Sequence, residues 1–166
     1  MYKYSLLTAY LFLKLINYSH AQDKKCMCEE VEGFRYDTDS FTNLRDKPNG
    51  KIIQKLIPDE DEIEPILMVC KAENKWFYIE TPNGTWGWIH YKKIAASLRN
   101  YDGNPVTLYK EPNREKGIQS IVKESEPLVQ IINCSGRWAY VYVPKTKQEG
   151  WVEGYLLCPN SITTCP

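Results

Sequence analysis

The sequence predicts an all-β protein, a short leader followed by two tandem small β-barrels. Three observations carry that prediction. The chain after the leader repeats itself once. Each copy alternates apolar and polar residues at the period of a strand, and turn dipeptides stand between the alternating runs.

Residues 1–21 read as a signal peptide. Lys3 supplies a small positive start, and Leu6 to Ile16 is an apolar run broken only by Lys14. Ser19-His20-Ala21 offers small residues where a signal peptidase reads, with cleavage before Gln22. The run falls short of the roughly 20 residues that span a bilayer. Lys14 keeps an uncleaved N-terminal anchor open as an alternative, and Asp23-Lys24-Lys25 before Cys26 argues against a lipidated cysteine. The predicted location is periplasmic or extracellular.

Residues 22–33 form a cysteine-bearing segment, and all six cysteines (Cys26, Cys28, Cys70, Cys134, Cys158 and Cys165) follow the leader. An even count in a small exported chain points to disulfides, because small domains bury too little apolar surface to be comfortable alone. Six cysteines allow fifteen pairings. The preferred set keeps bridges within each half: Cys26 or Cys28 with Cys70, and Cys134 with Cys158 or Cys165. A metal site built on Cys26-Met27-Cys28 is the rival reading; it lacks the C-x-x-C spacing of zinc sites, so no metal and no cofactor are expected.

The repeat is legible by eye. Arg35 to Asn49 has its partner in Arg99 to Asn113, with the Arg, Leu and Pro-Asn positions coinciding without a gap. Ile53-Gln54-Lys55-Leu56 then matches Ile118-Gln119-Ser120-Ile121, and Trp76-Phe77-Tyr78-Ile79 matches Trp138-Ala139-Tyr140-Val141. Gly87-Trp88-Ile89 matches Gly150-Trp151-Val152. The first barrel is placed at 34–96, the second at 97–158, and a tail at 159–166.

Within each copy the residues read as strands. Ile66 to Val69 and Leu128 to Ile132 are short apolar β-rich runs. In the following segments Phe77, Ile79, Ala139, Val141 and Val143 fall on one face, and Trp76, Tyr78, Trp138, Tyr140 and Tyr142 on the other. Ile89 and Val152 join the inner set, Trp88 and Trp151 the outer. Asn83-Gly84 is a strong short hairpin signal, which would let Tyr78 and Trp88 pair across the hairpin. Asn49-Gly50 after Pro48 marks another turn. No amphipathic helical pattern of useful length follows residue 22.

Taken in order, Thr-Asn-Leu-Arg-x-x-Pro-Asn-Gly, an apolar strand, Trp-x-x-Ile, an Asn-Gly turn and Gly-Trp-Ile-His resemble the bacterial Src-homology-3 domain. The first copy carries Asn43, Leu44, Arg45, Pro48, Gly50, Trp76, Gly87, Trp88 and Ile94; the second keeps Leu108, Pro112, Trp138, Gly150, Trp151 and Leu156. The second copy departs at Thr107 and Tyr109, where the family usually has Asn and Arg. The resemblance implies domains that bind cell-wall peptides or proteins, often beside a catalytic domain.

Composition narrows the function further. The chain has 21 basic and 21 acidic residues; Lys3 and Lys14 leave with the leader, so 19 basic face 21 acidic residues, a net of −2. No basic footprint for nucleic acid exists. After the leader His90 is the single histidine, with no base-and-orienter set around it in the sequence, and no phosphate loop, H-E-x-x-H or G-x-S-x-G motif occurs. Asp37-Thr38-Asp39 begins like an EF-hand loop, but Phe41 takes the third ligand position and no turn glycine follows. The sequons at Asn83 and Asn133 matter only in a source that glycosylates.

Two candidate surfaces remain. The first is aromatic: Trp76, Tyr78, Trp88, Trp138, Tyr140 and Trp151, exposed for recognition or packed barrel on barrel. The second is the acidic run Asp59, Glu60, Asp61 and Glu62, with Glu64, between Pro58 and Pro65. The expected function is a non-enzymatic envelope binding module that recognises a peptide, peptidoglycan or an envelope protein through the aromatic surfaces. The alternative is an inhibitor or immunity-type protein that blocks a toxic enzyme with the acidic loop.

Overall fold

A computed structural model describes residues 26–58, 64–101, 103–125, 127–160, 162 and 165. The leader and the acidic residues Asp59 to Glu62 therefore lie outside the described residues.

The repeat seen in the sequence is a repeat of strands. The first copy comprises β2 (Thr42–Arg45), β3 (Ile52–Leu56), β4 (Ile66–Glu73), β5 (Trp76–Glu80), β6 (Trp86–His90) and β7 (Ile94–Leu98). The second comprises β8 (Val106–Tyr109), β9 (Ile118–Val122), β10 (Leu128–Ser135), β11 (Trp138–Val143), β12 (Gln148–Glu153) and β13 (Leu157–Cys158). A short 3-10 turn, Tyr91–Lys93 in one and Gly154–Leu156 in the other, joins the last two strands of each copy. The copies share even their irregularities. Register slips between Leu44 and Arg45 and between Leu108 and Tyr109, and again between Val69 and Lys71 and between Ile131 and Asn133.

Alternation decides which side chains go inside. Phe77, Ile79, Ile89, Ala139, Val141, Val143 and Val152 are all fully buried, as the period of two requires. Burying one large apolar side chain of this kind contributes about 1.5–3 kcal/mol. The Gly-Trp pairs have a steric cause. A Cβ on Gly87 would stand 2.6 Å from Leu44 Cγ and 3.0 Å from the Arg45 carbonyl, and one on Gly150 2.8 Å from Leu108 Cβ and 3.0 Å from the Tyr109 carbonyl. In each copy this glycine lets the strand cross its neighbour closely.

The sequence led us to expect two self-contained barrels. With β1 (Glu32–Arg35) included, the ladders instead join into one open antiparallel sheet, running β3-β2-β6-β5-β4-β1-β7-β10-β11-β12-β8-β9, with β13 beside β7. Strand β1 lies between β4 and β7, and Gly33 has no room there for a side chain. Strand β7 closes the first copy and also pairs with β10 and β13 of the second, straddling the boundary drawn at 96/97. The buried apolar residues of both copies accordingly form one contiguous cluster.

Residues 26–31 explain why the expected disulfides need correction. They form a strap across both copies. Met27 and Cys28 donate their N–H groups to the Cys70 carbonyl (2.9 Å each), and Glu29 donates to Gly136 (2.7 Å) while Gly136 donates back to Met27 (2.8 Å). A Cβ on Gly154 would lie 2.3 Å from the Glu30 carbonyl, so the strap also seals against the second 3-10 turn. Cys26 thereby reaches Cys70, but Cys28 reaches Cys134 in the other copy, and Cys158 pairs with Cys165 in the tail. Cys26–Cys70 is one of the expected pairings, and the correction falls on the other two: Cys28–Cys134 crosses between the halves, and Cys134 pairs with neither Cys158 nor Cys165. No cysteine is left for a Cys26-Met27-Cys28 metal site.

Candidate functional site

The outer face of each copy is organised in cross-strand rows. In the first copy Arg45, Trp88, Tyr78 and Lys71 are successive partners across β2, β6, β5 and β4. In the second copy the same row reads Tyr109, Trp151, Tyr140 and Asn133. Tyr78 and Trp88 pair across their hairpin with ring centroids 5.3 Å apart, and Tyr140 meets Trp151 edge-on at 5.4 Å. Asn83-Gly84 does turn that hairpin, in a five-residue connection that Thr81 and Thr85 close with three hydrogen bonds of 3.0 Å: the Thr81 N–H and hydroxyl donate to the Thr85 carbonyl, and the Thr85 N–H donates to the Thr81 hydroxyl.

Five of the six aromatic candidates, Trp76, Tyr78, Trp138, Tyr140 and Trp151, are partly exposed. Trp88 is only 8% exposed, because Tyr78 tilts onto it and the Lys71 ammonium lies 5.0 Å above its ring. It is a packing residue held by a cation. Trp86 was missed, although it stands two residues before Trp88 and so must share its face; it stacks on Tyr78 at 5.5 Å.

Each row adjoins a cleft, and the two clefts occupy the same place in the repeat. The first, about 310 Å³, lies among the loop after β1, the strand β2 and the 3-10 turn; Phe41, Arg45, Trp76 and His90 form much of its wall. The second, about 250 Å³, is walled by Pro105, Tyr109 and Tyr155. Trp138, the counterpart of Trp76, meets Tyr109 edge-on at 5.6 Å. Thus one tryptophan of the predicted set lines a cleft directly and a second supports one.

Each cleft also carries an ion pair at its rim. Lys93 bridges Asp37 and reaches Asp39 at 3.7 Å, while Arg114 pairs with Glu153 and lies 3.3 Å from the Tyr155 hydroxyl. Burial works against the Asp37 charge. The hydrogen bonds from Lys93, the Thr42 hydroxyl and the Asp39 N–H, with the charge of Lys93, outweigh it and hold the carboxyl below the usual range. The guanidinium of Arg114 is held protonated by Glu153. Buried Arg35 makes a two-pronged contact with Glu64 and donates to the Asp39 carbonyl (2.9 Å), which fixes the loop that walls the first cleft.

His90 meets Trp76 edge-on at 5.3 Å and caps the 3-10 turn, its Nδ1 accepting from the Lys92 N–H at 3.4 Å. Burial and the charges of Lys92, Lys75 and Lys93 hold its pKa below the ordinary value. It is therefore a neutral ring at pH 7, with Nε2 left to donate. All six cysteines are in disulfides, so no thiol stands opposite it. Among the described residues no three His, Cys, Asp or Glu side chains converge as metal ligands. No described helix is long and apolar enough to cross a membrane.

No protein family's sequence profile matches the chain, and no curated protein does. Among solved structures the chain is similar to NlpC2 from Trichomonas vaginalis, at 13% identity and a TM-score of 0.35, over 76% of this chain and 46% of that one. It is also similar to NlpC1 from the same organism, at 13% identity and a TM-score of 0.34, over 76% and 44%. The chain spans less than half the length of either protein.

Proposed function

We propose that the protein is a non-enzymatic binding module of the cell envelope, built from two Src-homology-3-like units that each hold a ligand in the cleft beside their aromatic row. The observation that carries this reading is the coincidence of the two clefts. The same position in the repeat is a concave aromatic wall with an ion pair at its rim in both copies, although the wall residues differ. Packing alone gives no reason to keep a cleft twice while changing its lining. Aromatic walls of this type hold an extended peptide or a cell-wall peptide by apolar and stacking contacts, and the charged rim orients it.

The two clefts are not duplicates in chemistry. Arg45 and Lys71 give the first row cationic ends, whereas Tyr109 and Asn133 make the second row neutral. The linings differ as well: Asp37 and Asp39 balance Arg45 and Lys93 in the first cleft, whereas Arg99 and Arg114 outnumber Glu153 in the second, which therefore suits the acidic portion of a ligand.

The test is co-sedimentation of the disulfide-bonded protein with purified peptidoglycan. Saturable pelleting that falls at least tenfold in Trp76→Ala and in Tyr109→Ala, with near-ultraviolet circular dichroism retained, supports the reading. Pelleting that ignores both substitutions, or none at all, removes the wall as the ligand of these clefts.

A further inference from the structure

At the opposite end of the β5–β6 hairpin from the first cleft lies a separate groove of about 860 Å³. Its floor is apolar and exposed: Ile57, Ile66 and Met68 are 62%, 40% and 52% accessible. Alternation accounts for this, since Leu67 and Val69 turn inward from β4 and leave Ile66 and Met68 outward. Three exposed apolar side chains gathered in one concavity are a binding surface in kind, unlike scattered surface residues.

The rim is acidic. Glu32, Met68 and Glu80 are cross-strand partners in one row, so the methionine sits between two carboxylates. Neither Glu32 nor Glu80 makes an ion pair among the described residues. Glu64, also at the rim, is held by Arg35. No Lys or Arg lines the groove.

We propose that this groove binds an extended peptide with an apolar centre flanked by Lys or Arg. The charge selects the occupant. An anionic lipid surface is repelled by the rim, and an acidic segment is repelled likewise. Strand β4 is paired on both sides, by β1 and β5, so the peptide is held by side-chain contacts and not by strand addition. Glu32 and Glu80 stand two strand spacings apart, about 10 Å, which an extended peptide covers in about three residues. Two basic residues about three positions apart fit that spacing. The proposal is independent of the aromatic clefts, since no residue is shared between them.

The experiment pans random peptides displayed on phage against the full disulfide-bonded protein, with Met68→Glu as the counter-selection. The expected enrichment is for an apolar core with Lys or Arg on both sides. A synthetic copy of the enriched peptide then binds at least tenfold more weakly to Met68→Glu and to Glu80→Lys, and more weakly as salt rises. It binds unchanged to Trp76→Ala, which separates this groove from the first cleft. No enrichment, enrichment of acidic or uncharged sequences, or binding indifferent to Met68→Glu and Glu80→Lys overturns the proposal.

Discussion

Cys28–Cys134 closes a loop of 106 residues, against 44 for Cys26–Cys70 and 7 for Cys158–Cys165. Its effect on stability can be worked from those separations. With Cys26–Cys70 already formed, the new path runs from Cys28 through that bridge and on to Cys134, about 66 residues. Closing a loop of that size removes about 4 kcal/mol of unfolded-state chain entropy, and closing the seven-residue loop about 2 kcal/mol. Cys28 and Cys134 are buried, 4% and 7% exposed, so replacing both by alanine leaves apolar contacts largely in place. The paired variant Cys28→Ala/Cys134→Ala should therefore lose about twice what Cys158→Ala/Cys165→Ala loses. In urea unfolding followed by tryptophan fluorescence, with a slope near 2 kcal/mol/M for a chain of this size, the midpoints should fall by about 2 M and about 1 M. Non-reducing peptide mapping checks the same pairing directly. Equal midpoints for the two variants, or a mapped Cys70–Cys134 peptide, would refute the strap as the clasp between the copies.

Three further outcomes are expected. Gly87→Ala should cost about 1–3 kcal/mol through the close approach of β2, and Gly150→Ala more, because its φ of 154° adds backbone strain to the close approach of β8; Gly84→Ala, with open space around its Cβ and a φ of 77°, should cost only about 1–2 kcal/mol of backbone strain. Thermal unfolding that ranks Gly84→Ala worst would sink the steric account. Because the Asp37 carboxyl is held below its ordinary value, the stability it brings is present above the unfolded range near 4 and lost as pH falls through the folded value. Asp37→Asn should accordingly weaken the protein at pH 7 and make no difference in strong acid; an equal loss at both would contradict this. By proton NMR, His90 should titrate below 6.5 and move upward in Lys92→Ala, and an unmoved midpoint would remove the Lys92 charge as a cause.

The repeat was readable because it lives in local rules. A period of two sends Phe77 and Val141 inward and Tyr78 and Tyr140 outward whatever the surroundings, and the structure keeps that sorting residue by residue. Strand partners distant in sequence carry no such local mark. Nothing in Glu32–Arg35 announces that it will slip between β4 and β7, and nothing in Cys28 favours Cys134 over Cys70 until the strap's backbone bonds place it. The candidate site was half legible for the same reason. Alternation identified the outer aromatics but could not say that Lys71 covers Trp88, nor that Phe41, His90 and Tyr155 line clefts built from loops and 3-10 turns. Trp86 was within reach of the period and was passed over for the more conspicuous Gly-Trp pair.

Strand β7 belongs to both copies, and this bears on avidity. In a chain of domains strung on flexible linkers, the second binding event gains an effective concentration that depends on linker length and is diluted as the linker grows. Here no linker exists to dilute it, since the strand that ends the first copy is hydrogen-bonded into the second. The two clefts are spaced like marks on a ruler. On the proposed function, a polymer whose binding units recur at the matching interval would engage both at once with little further ordering, and one with a different interval would engage a single cleft. Under that proposal, spacing along the ligand, as much as its chemistry, would become something the protein can measure.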